Sequence, residues 1–360
     1  MNHLFQLAVT AAPWALEGAP VLLRGDLAEQ FRRARDIGYD AVELHLREPE
    51  EAPAQMVRRL SQETGVKVSA IATGLANLVD KLCFIDDDPD VRNAAVARIR
   101  AFIDWARITE SGIIIGSLRG KIPDIHNRSA CDARMRACIE QILVYNEPAP
   151  VPIYFEAINR YENNYLNTAE ETLRFVNSFG SAHLFVHLDT FHMNIEEADM
   201  CAAIRLAGKR LGYIHFADNT RYACGAGSLD FAAVLRALAD IKYQGYVSIE
   251  CLPIPDGEKA ADLLANFSKY LRLIFDVDRK LMTVPLEREI ELIKAYVEIE
   301  KARFGERINV EYNIAPELLA MEIPSLCIQP LVENAIKHGL LKKDCGGTVL
   351  IAAEKSGGAV

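Results

Sequence analysis

The feature that most limits the fold is an alternation. Between residues 1 and 276, short apolar or β-branched runs alternate with longer runs of helical periodicity, eight of each. The strand-like runs are Leu4–Ala11, Ala41–Leu46, Val66–Thr73, Gly112–Leu118, Pro152–Ile158, Leu184–Asp189, Leu211–Ala217 and Tyr246–Leu252. The helical runs are Leu27–Ile37, Pro53–Glu63, Asp88–Glu110, Ala130–Asn146, Thr168–Ser178, Glu196–Gly208, Leu229–Ile241 and Gly257–Phe275. A long loop is expected over Gly74–Asp87. Strict β–α alternation calls for a parallel sheet covered by helices. A count of eight lets that sheet close on itself, and no Gly-x-Gly-x-x-Gly follows any strand, as an open dinucleotide-binding sheet would want. The expected class is α/β, a (β/α)8 barrel.

Such a barrel takes about 250 residues. The chain has 360, so a second segment is expected, with domains at 1–276 and 277–360. A net charge of −10 argues against a nucleic-acid partner. The eight cysteines are scattered with no Cys-x-x-Cys, which reads as reduced thiols and a cytoplasmic protein. No apolar run reaches membrane-spanning length. Leu4–Trp14 is mildly apolar, but the first basic residue is Arg24, so it reads as the first strand rather than a signal peptide.

Barrels of this class build their active sites where strands end. The run Phe185–Glu197 ends a buried strand in Asp189, places His192 three residues on, and is expected to start a helix with Glu196 and Glu197 in its first turn. The neighbouring strands match it. Glu156 ends the fifth strand, His215 lies in the seventh and Glu250 ends the eighth, with successive spacings of 33, 26 and 35 residues from Glu156 through Asp189 and His215 to Glu250, one βα unit each. A barrel brings these four side chains to one rim. Isolated carboxylates at strand ends usually cap loops, but four such groups in register would carry unpaired charge without a cation. Three carboxylates and one imidazole suit Mn²⁺, Mg²⁺ or Co²⁺ better than a thiolate-seeking metal.

Three stretches carry a resemblance: Phe155-Glu-Ala-Ile-Asn-Arg-Tyr-Glu162, Leu188-Asp-Thr-Phe-His-Met-Asn-Ile-Glu-Glu197 and His215-Phe-Ala-Asp-Asn-Thr-Arg221. They resemble the sugar isomerase/epimerase barrels, in particular the D-tagatose/D-psicose 3-epimerase branch, over residues 1–276. The resemblance implies that Glu156, Asp189, His215 and Glu250 hold one divalent ion, with Mn²⁺ favoured over Mg²⁺ or Co²⁺. It also makes Glu162, His192 and Arg221 substrate contacts. Cys224 departs from the proline often found before the following Gly-x-Gly.

The chemistry expected is epimerisation of a ketose or ketose phosphate at the carbon beside the ketone. A metal chelated by the carbonyl and the adjacent hydroxyl stabilises the enediolate. Glu156 and Glu250, one on each face, remove and return the proton, with the assignment of roles open. Arg119 and Lys121 follow the fourth strand as exposed-loop cations that could hold a phosphate. Trp14 is a candidate pocket wall. Glu43 and His45 point the same way from the second strand, and either could touch substrate. Cys251 is expected to face away from the interior. The alternatives are an aldose–ketose isomerase on the same barrel, a non-catalytic sugar sensor, and an endonuclease-IV-like enzyme, which would want more histidines and a basic groove. No nucleic-acid or membrane partner is expected; a homodimer or homotetramer is compatible with this reading.

The pattern changes after Phe275. A charged helix, Pro285–Phe304, is followed by a strand, Ile308–Ile314, a helix, Pro324–Leu340, and a strand, Thr348–Ala353. The run Gln329-Pro-Leu-Val-Glu-Asn-Ala-Ile-Lys-His-Gly339 resembles the N box of two-component sensor histidine kinases. The resemblance places Glu333, Asn334, Lys337 and His338 near a Mg²⁺-nucleotide. No histidine stands between Asp276 and Glu333, and no Asp-x-Gly-x-Gly follows. The expectation is therefore an incomplete kinase-like segment that does not catalyse phosphoryl transfer.

Overall fold

In the computed structural model of the chain, residues 5–254, 283–324, 327–340, 342–343 and 345–354 are described. The described residues form two compact units, 5–254 and 283–354. The expected eighth helix (257–275) and the expected boundary at 276 lie outside the described residues.

Each expected barrel strand forms. They are β1 (Gln6–Ala12), β2 (Ala41–His45), β3 (Lys67–Ala72), β4 (Gly112–Ile115), β5 (Ile153–Glu156), β6 (Leu184–Asp189), β7 (Leu211–Phe216) and β8 (Tyr246–Ile249). All are parallel and pair in chain order, and β1 pairs with β8 with Ala8 opposite Ser248, which closes the sheet. A two-residue strand, Leu23–Arg24, extends the rim beside β1. All four residues of β4 are buried, as a strand covered on both faces requires.

The barrel interior is unusually polar. Toward the strand N-termini, Tyr154 and Tyr213 pack with Ala70 and Ile114. Gly112 makes room for this layer, since a Cβ there would strike the Tyr154 ring. Glu43, His187, Ser248 and the rim carboxylates are also buried. The register shifts between Val42 and Glu43 and between Val186 and His187. Such irregularities re-aim side chains beside active sites.

The helices follow their caps. Asp88 accepts from Asp90 N at 2.8 Å and starts Pro89–Thr109. Thr168 and Glu171 form a capping box on Ala169–Asn177. Two expectations change. The loop after β3 contains a short helix, Gly74–Leu78. The run after β6 is two helices, Thr190–Glu196 and Met200–Ala207, so Glu196 ends a helix rather than opening one. The reason is local. Asp189 itself caps the first helix, accepting from Phe191 N at 2.8 Å, and Asp199 caps the second.

In the second unit, β9 (Thr283–Pro285) pairs antiparallel with β11 (Glu322–Pro324), and β10 (Ile308–Ile314) pairs parallel with β12 (Gly347–Ala353). The helix Leu286–Phe304 buries Ile290, Ile293 and Val297 on one face. The helix expected over Pro324–Leu340 is shorter. Pro324 is spent in β11, Gln329–Asn334 is α-helical, and Ala335–Leu340 widens to a π-helix.

Candidate active site

Strands β5 to β8 deliver Glu156, Asp189, His215 and Glu250 to one end of the barrel, and all four are buried. His215 Nδ1 lies 3.2 Å from Glu250 Oε2 and 3.9 Å from Asp189 Oδ2. His192 Nε2 lies 3.6 Å from Glu156 Oε1 and 3.8 Å from Asp189 Oδ2. Asp189 spends Oδ1 on its helix cap, which leaves Oδ2 facing the site.

The charges are held by opposed forces. Burial pushes the Glu156 carboxyl up to about 8, and the neighbouring Glu250 charge adds to it. Burial also raises Asp189, to about 6, against the pull of Arg221. At Glu250 burial works the same way, but His215 and Arg221 overcome it and bring the carboxyl down to about 2. His215 is held well above the ordinary imidazole range. Burial opposes its charge, but Glu43 and Glu250 prevail. Desolvation, with Arg221 nearby, keeps His192 neutral.

The donor set fits a divalent ion. His215 Nε2 is engaged by Glu43 Oε2 at 2.8 Å, while Nδ1, aimed into the carboxylates, makes no well-formed hydrogen bond. Glu156, Asp189 and His192 offer donor atoms within 4.8 Å of one another, and so do Glu43, His215 and Glu250. Buried oxygens around one free imidazole nitrogen are the ligand chemistry of Mn²⁺ or Mg²⁺.

The three expected substrate contacts come to the same place. His192 is fixed by Asn159, whose amide nitrogen lies 2.6 Å from Nδ1 and also donates to Glu162 at 3.0 Å. That bond leaves Nε2 of His192 pointing at the carboxylates. Arg221 donates to Asp189 Oδ2 at 2.7 Å and to Glu250 Oε2, and its guanidinium stacks on Phe191 at 4.6 Å. It adopts a left-handed φ of 61°. The turn that imposes this is built on Asp218, which is fully buried and accepts from Asn219 N, Gly225 N and Leu229 N. Arg221 O in turn accepts from Leu252 N at 2.8 Å, tying the loop to the end of β8.

These groups open into a cleft of about 170 Å³. Glu162, His45 and Arg221 line it on one side; Trp14, Leu16, Val21, Leu75 and Leu78 form an apolar wall. Trp14 is thus a wall residue, and its indole donates to Glu51 at 2.8 Å. Arg119 corrects an expectation. It is completely buried rather than an exposed loop cation, packs over Phe155 and donates to Leu166 O at 3.3 Å. Burial lowers it to about 10. Neither it nor the exposed Lys121 lines the cleft. Glu196 and Glu197 also stand outside the site, accepting from Arg160 and from Ala169 N. Cys251 is fully buried. Of Glu43 and His45, either of which could touch substrate, His45 lines the cleft and Glu43 does not.

The model of the xylose isomerase-like TIM barrel family matches residues 31–270. The chain belongs to that family. Among curated relatives, the D-psicose 3-epimerase of Enterocloster bolteae is 32% identical over 247 residues, 66% of this chain and 81% of that one. The L-ribulose 3-epimerase of a Methylomonas species is 30% identical, covering 67% and 81%. A solved L-ribulose 3-epimerase structure superposes with a TM-score of 0.63 at 25% identity, over 84% of this chain and 98% of the other. Membership in this group makes the chain an isomerase-class enzyme. A histidine kinase family model matches residues 247–308. That match stops short of the N-box-like run, where Asn334 and His338 are exposed, Glu333 accepts from Gln329 at 2.8 Å, and the Lys337 side chain lies outside the described residues. Among the described residues no helix is long and apolar enough to cross a membrane.

Proposed function

We propose that the barrel is a divalent-metal-dependent ketose 3-epimerase. The observation that carries the reading is the convergence of Glu156, Asp189, His215 and Glu250 around an imidazole nitrogen that has no other partner. Their residue types suit Mn²⁺, and the 3-epimerase relatives support the reaction class. A divalent ion held by these groups would polarise the ketone and its neighbouring hydroxyl and stabilise the enediolate charge.

The protein's own groups supply the rest. Glu250, brought down to about 2 by His215 and Arg221, stands ready as a base, and Glu156 is the partner that hands the proton back on the other face. The opposite epimer uses the two in reverse order. His192 presents Nε2–H to a sugar oxygen, and Arg221 offers a second donor beside it. Glu162, half exposed at the cleft mouth, positions a hydroxyl. The apolar wall, with no free cation among the lining residues, favours an unphosphorylated ketose over a ketose phosphate.

The test is solvent deuterium incorporation by the purified chain with Mn²⁺ and a panel of free and phosphorylated ketoses, followed by NMR. Deuterium at carbon 3 with formation of the epimer is expected. Formation of an aldose, with deuterium at its carbon 2 or with none if a hydride shifts between carbons 1 and 2, would make it an isomerase. Neither exchange nor product from any sugar, with metal bound, would favour a sugar sensor.

A further inference from the structure

The interior of a (β/α)8 barrel is ordinarily filled by bulky apolar side chains. Glu43 breaks that rule in a place where a carboxylate has no access to water. It sits in β2, is fully buried, and does not line the cleft. Each of its oxygens is spent. Oε2 accepts from His215 Nε2 at 2.8 Å and from Tyr213 OH at 2.9 Å. Oε1 lies 3.0 Å from His45 Nε2. Tyr213 is itself located by Ser69, at 2.7 Å between hydroxyls, and Ser69 also bonds Val42 O. The β2 register shifts at Glu43 itself.

The bond to His215 crosses the barrel, joining β2 to β7, which are not neighbours in the sheet. Its effect on the imidazole is specific. In the neutral ring that a metal ligand must be, Nε2–H donates to Glu43 and the Nδ1 lone pair is the one left to face Asp189 and Glu250. A carboxylate in that position fixes the ring's tautomer and its rotation, and makes the other nitrogen a better donor.

The geometry points to Glu43 as the positioning residue for His215, holding its Nδ1 toward the carboxylate cluster, with Tyr213 and Ser69 as the brace that holds Glu43. The inference rests on the reading of His215 as a metal ligand. Glu43 does not line the cleft, and although it lies within 4.8 Å of the donor atoms of His215 and Glu250, both its oxygens are engaged by His215, Tyr213 and His45, so it acts through the ring.

The test uses the full chain and Mn²⁺ or Co²⁺ alone, without sugar. Wild type, Glu43→Gln and Glu43→Asp are compared by calorimetric metal titration, by the visible spectrum of the Co²⁺ form, and by ¹⁵N shifts of the His215 ring. Glu43→Gln keeps the shape and removes the charge. The expected result is Mn²⁺ affinity weaker by about 10- to 100-fold, with changed His215 ¹⁵N shifts. Glu43→Asp, which keeps the charge, recovers part of the affinity. A role confined to packing would shift the melting temperature and leave the ring shifts and the Co²⁺ spectrum alone. Glu43→Gln binding Mn²⁺ within about twofold of wild type, with unchanged ring shifts, overturns the role of Glu43 while leaving the metal reading standing. A wild-type protein that binds neither ion overturns the metal reading, and this inference with it.

Discussion

Gly116→Ala is the substitution that best separates catalysis from folding. Gly116 directly follows β4, and a Cβ built there falls against the Glu156 carboxylate, well inside contact distance, while Ile158 Cδ1 stays at an ordinary 3.5 Å. The obstructed atom is the end of a flexible side chain beside an open cleft. The carboxylate can therefore swing away by about 1 Å without moving backbone, and the fold should lose no more than about 1 kcal/mol, the low end of overpacking costs. The reaction is less forgiving. A misplacement of about 1 Å at a proton-transferring group costs on the order of 100-fold, or about 2.7 kcal/mol of transition-state stabilisation. The assay is kcat/KM for the best ketose beside a thermal melt of the same preparation. A near-normal melt with a loss of about 100-fold is expected. Retention of kcat/KM within about threefold would show that Glu156 does not need its present position. A collapse of the melt would show that the backbone, not the side chain, gives way.

Three further outcomes follow from the same site. Metal binding at pH 7 should release between one and two protons. Glu156, raised to about 8, and His215, raised well above its ordinary range, are both protonated there, and each must lose its proton to become a ligand. The share from Glu156 disappears as pH climbs past about 8, and titration calorimetry in buffers of different ionisation enthalpy reads the number; no release at pH 7 would remove both from the ligand set. Asp218→Ala should destabilise by about 1–3 kcal/mol in denaturant unfolding, since it removes the carboxylate that accepts from three backbone N–H groups, and should raise KM by loosening the loop that carries Arg221; an unchanged KM would take Arg221 out of substrate binding. The full chain should show no micromolar ATP binding by equilibrium dialysis, and saturable binding in that range would overturn the reading of residues 277–360 as an incomplete kinase-like segment.

Periodicity sufficed for the barrel because its signals are local. The Asp88-Pro89 helix start and the apolar runs of β4 and β6 stand as read, since caps and burial act within a few residues. The four strand-end groups were legible for a related reason: one βα unit is one step around the barrel, so sequence spacing becomes position on the rim. Reading failed where a side chain's partner lies far along the chain. Arg119 looks like a loop cation until the fold places Phe155 and Leu166 against it. Glu43 looks like a lining residue until β7 brings His215 to it, 172 positions away. Glu196 ends a helix instead of opening one because Asp189 is both strand end and helix cap, and nothing in the sequence ranks the two roles.

The division of labour along β1 to β8 bears on how such an enzyme diversifies. All four proposed metal donors come from β5 to β8, while Trp14, Val21, Leu75 and Leu78, which shape the apolar side of the cleft, precede β4. The apolar wall and the reaction centre are thus encoded in separate halves of the gene, while the polar substrate contacts proposed here, Glu162, His192 and Arg221, travel with the reaction centre. Exchange of the first half between relatives would offer new pocket shapes to an unaltered reaction centre, on one condition. The incoming half must carry a carboxylate at the position of Glu43 and a hydroxyl at that of Ser69, because their contacts with His215 and Tyr213 cross the barrel and are where the two halves have to agree.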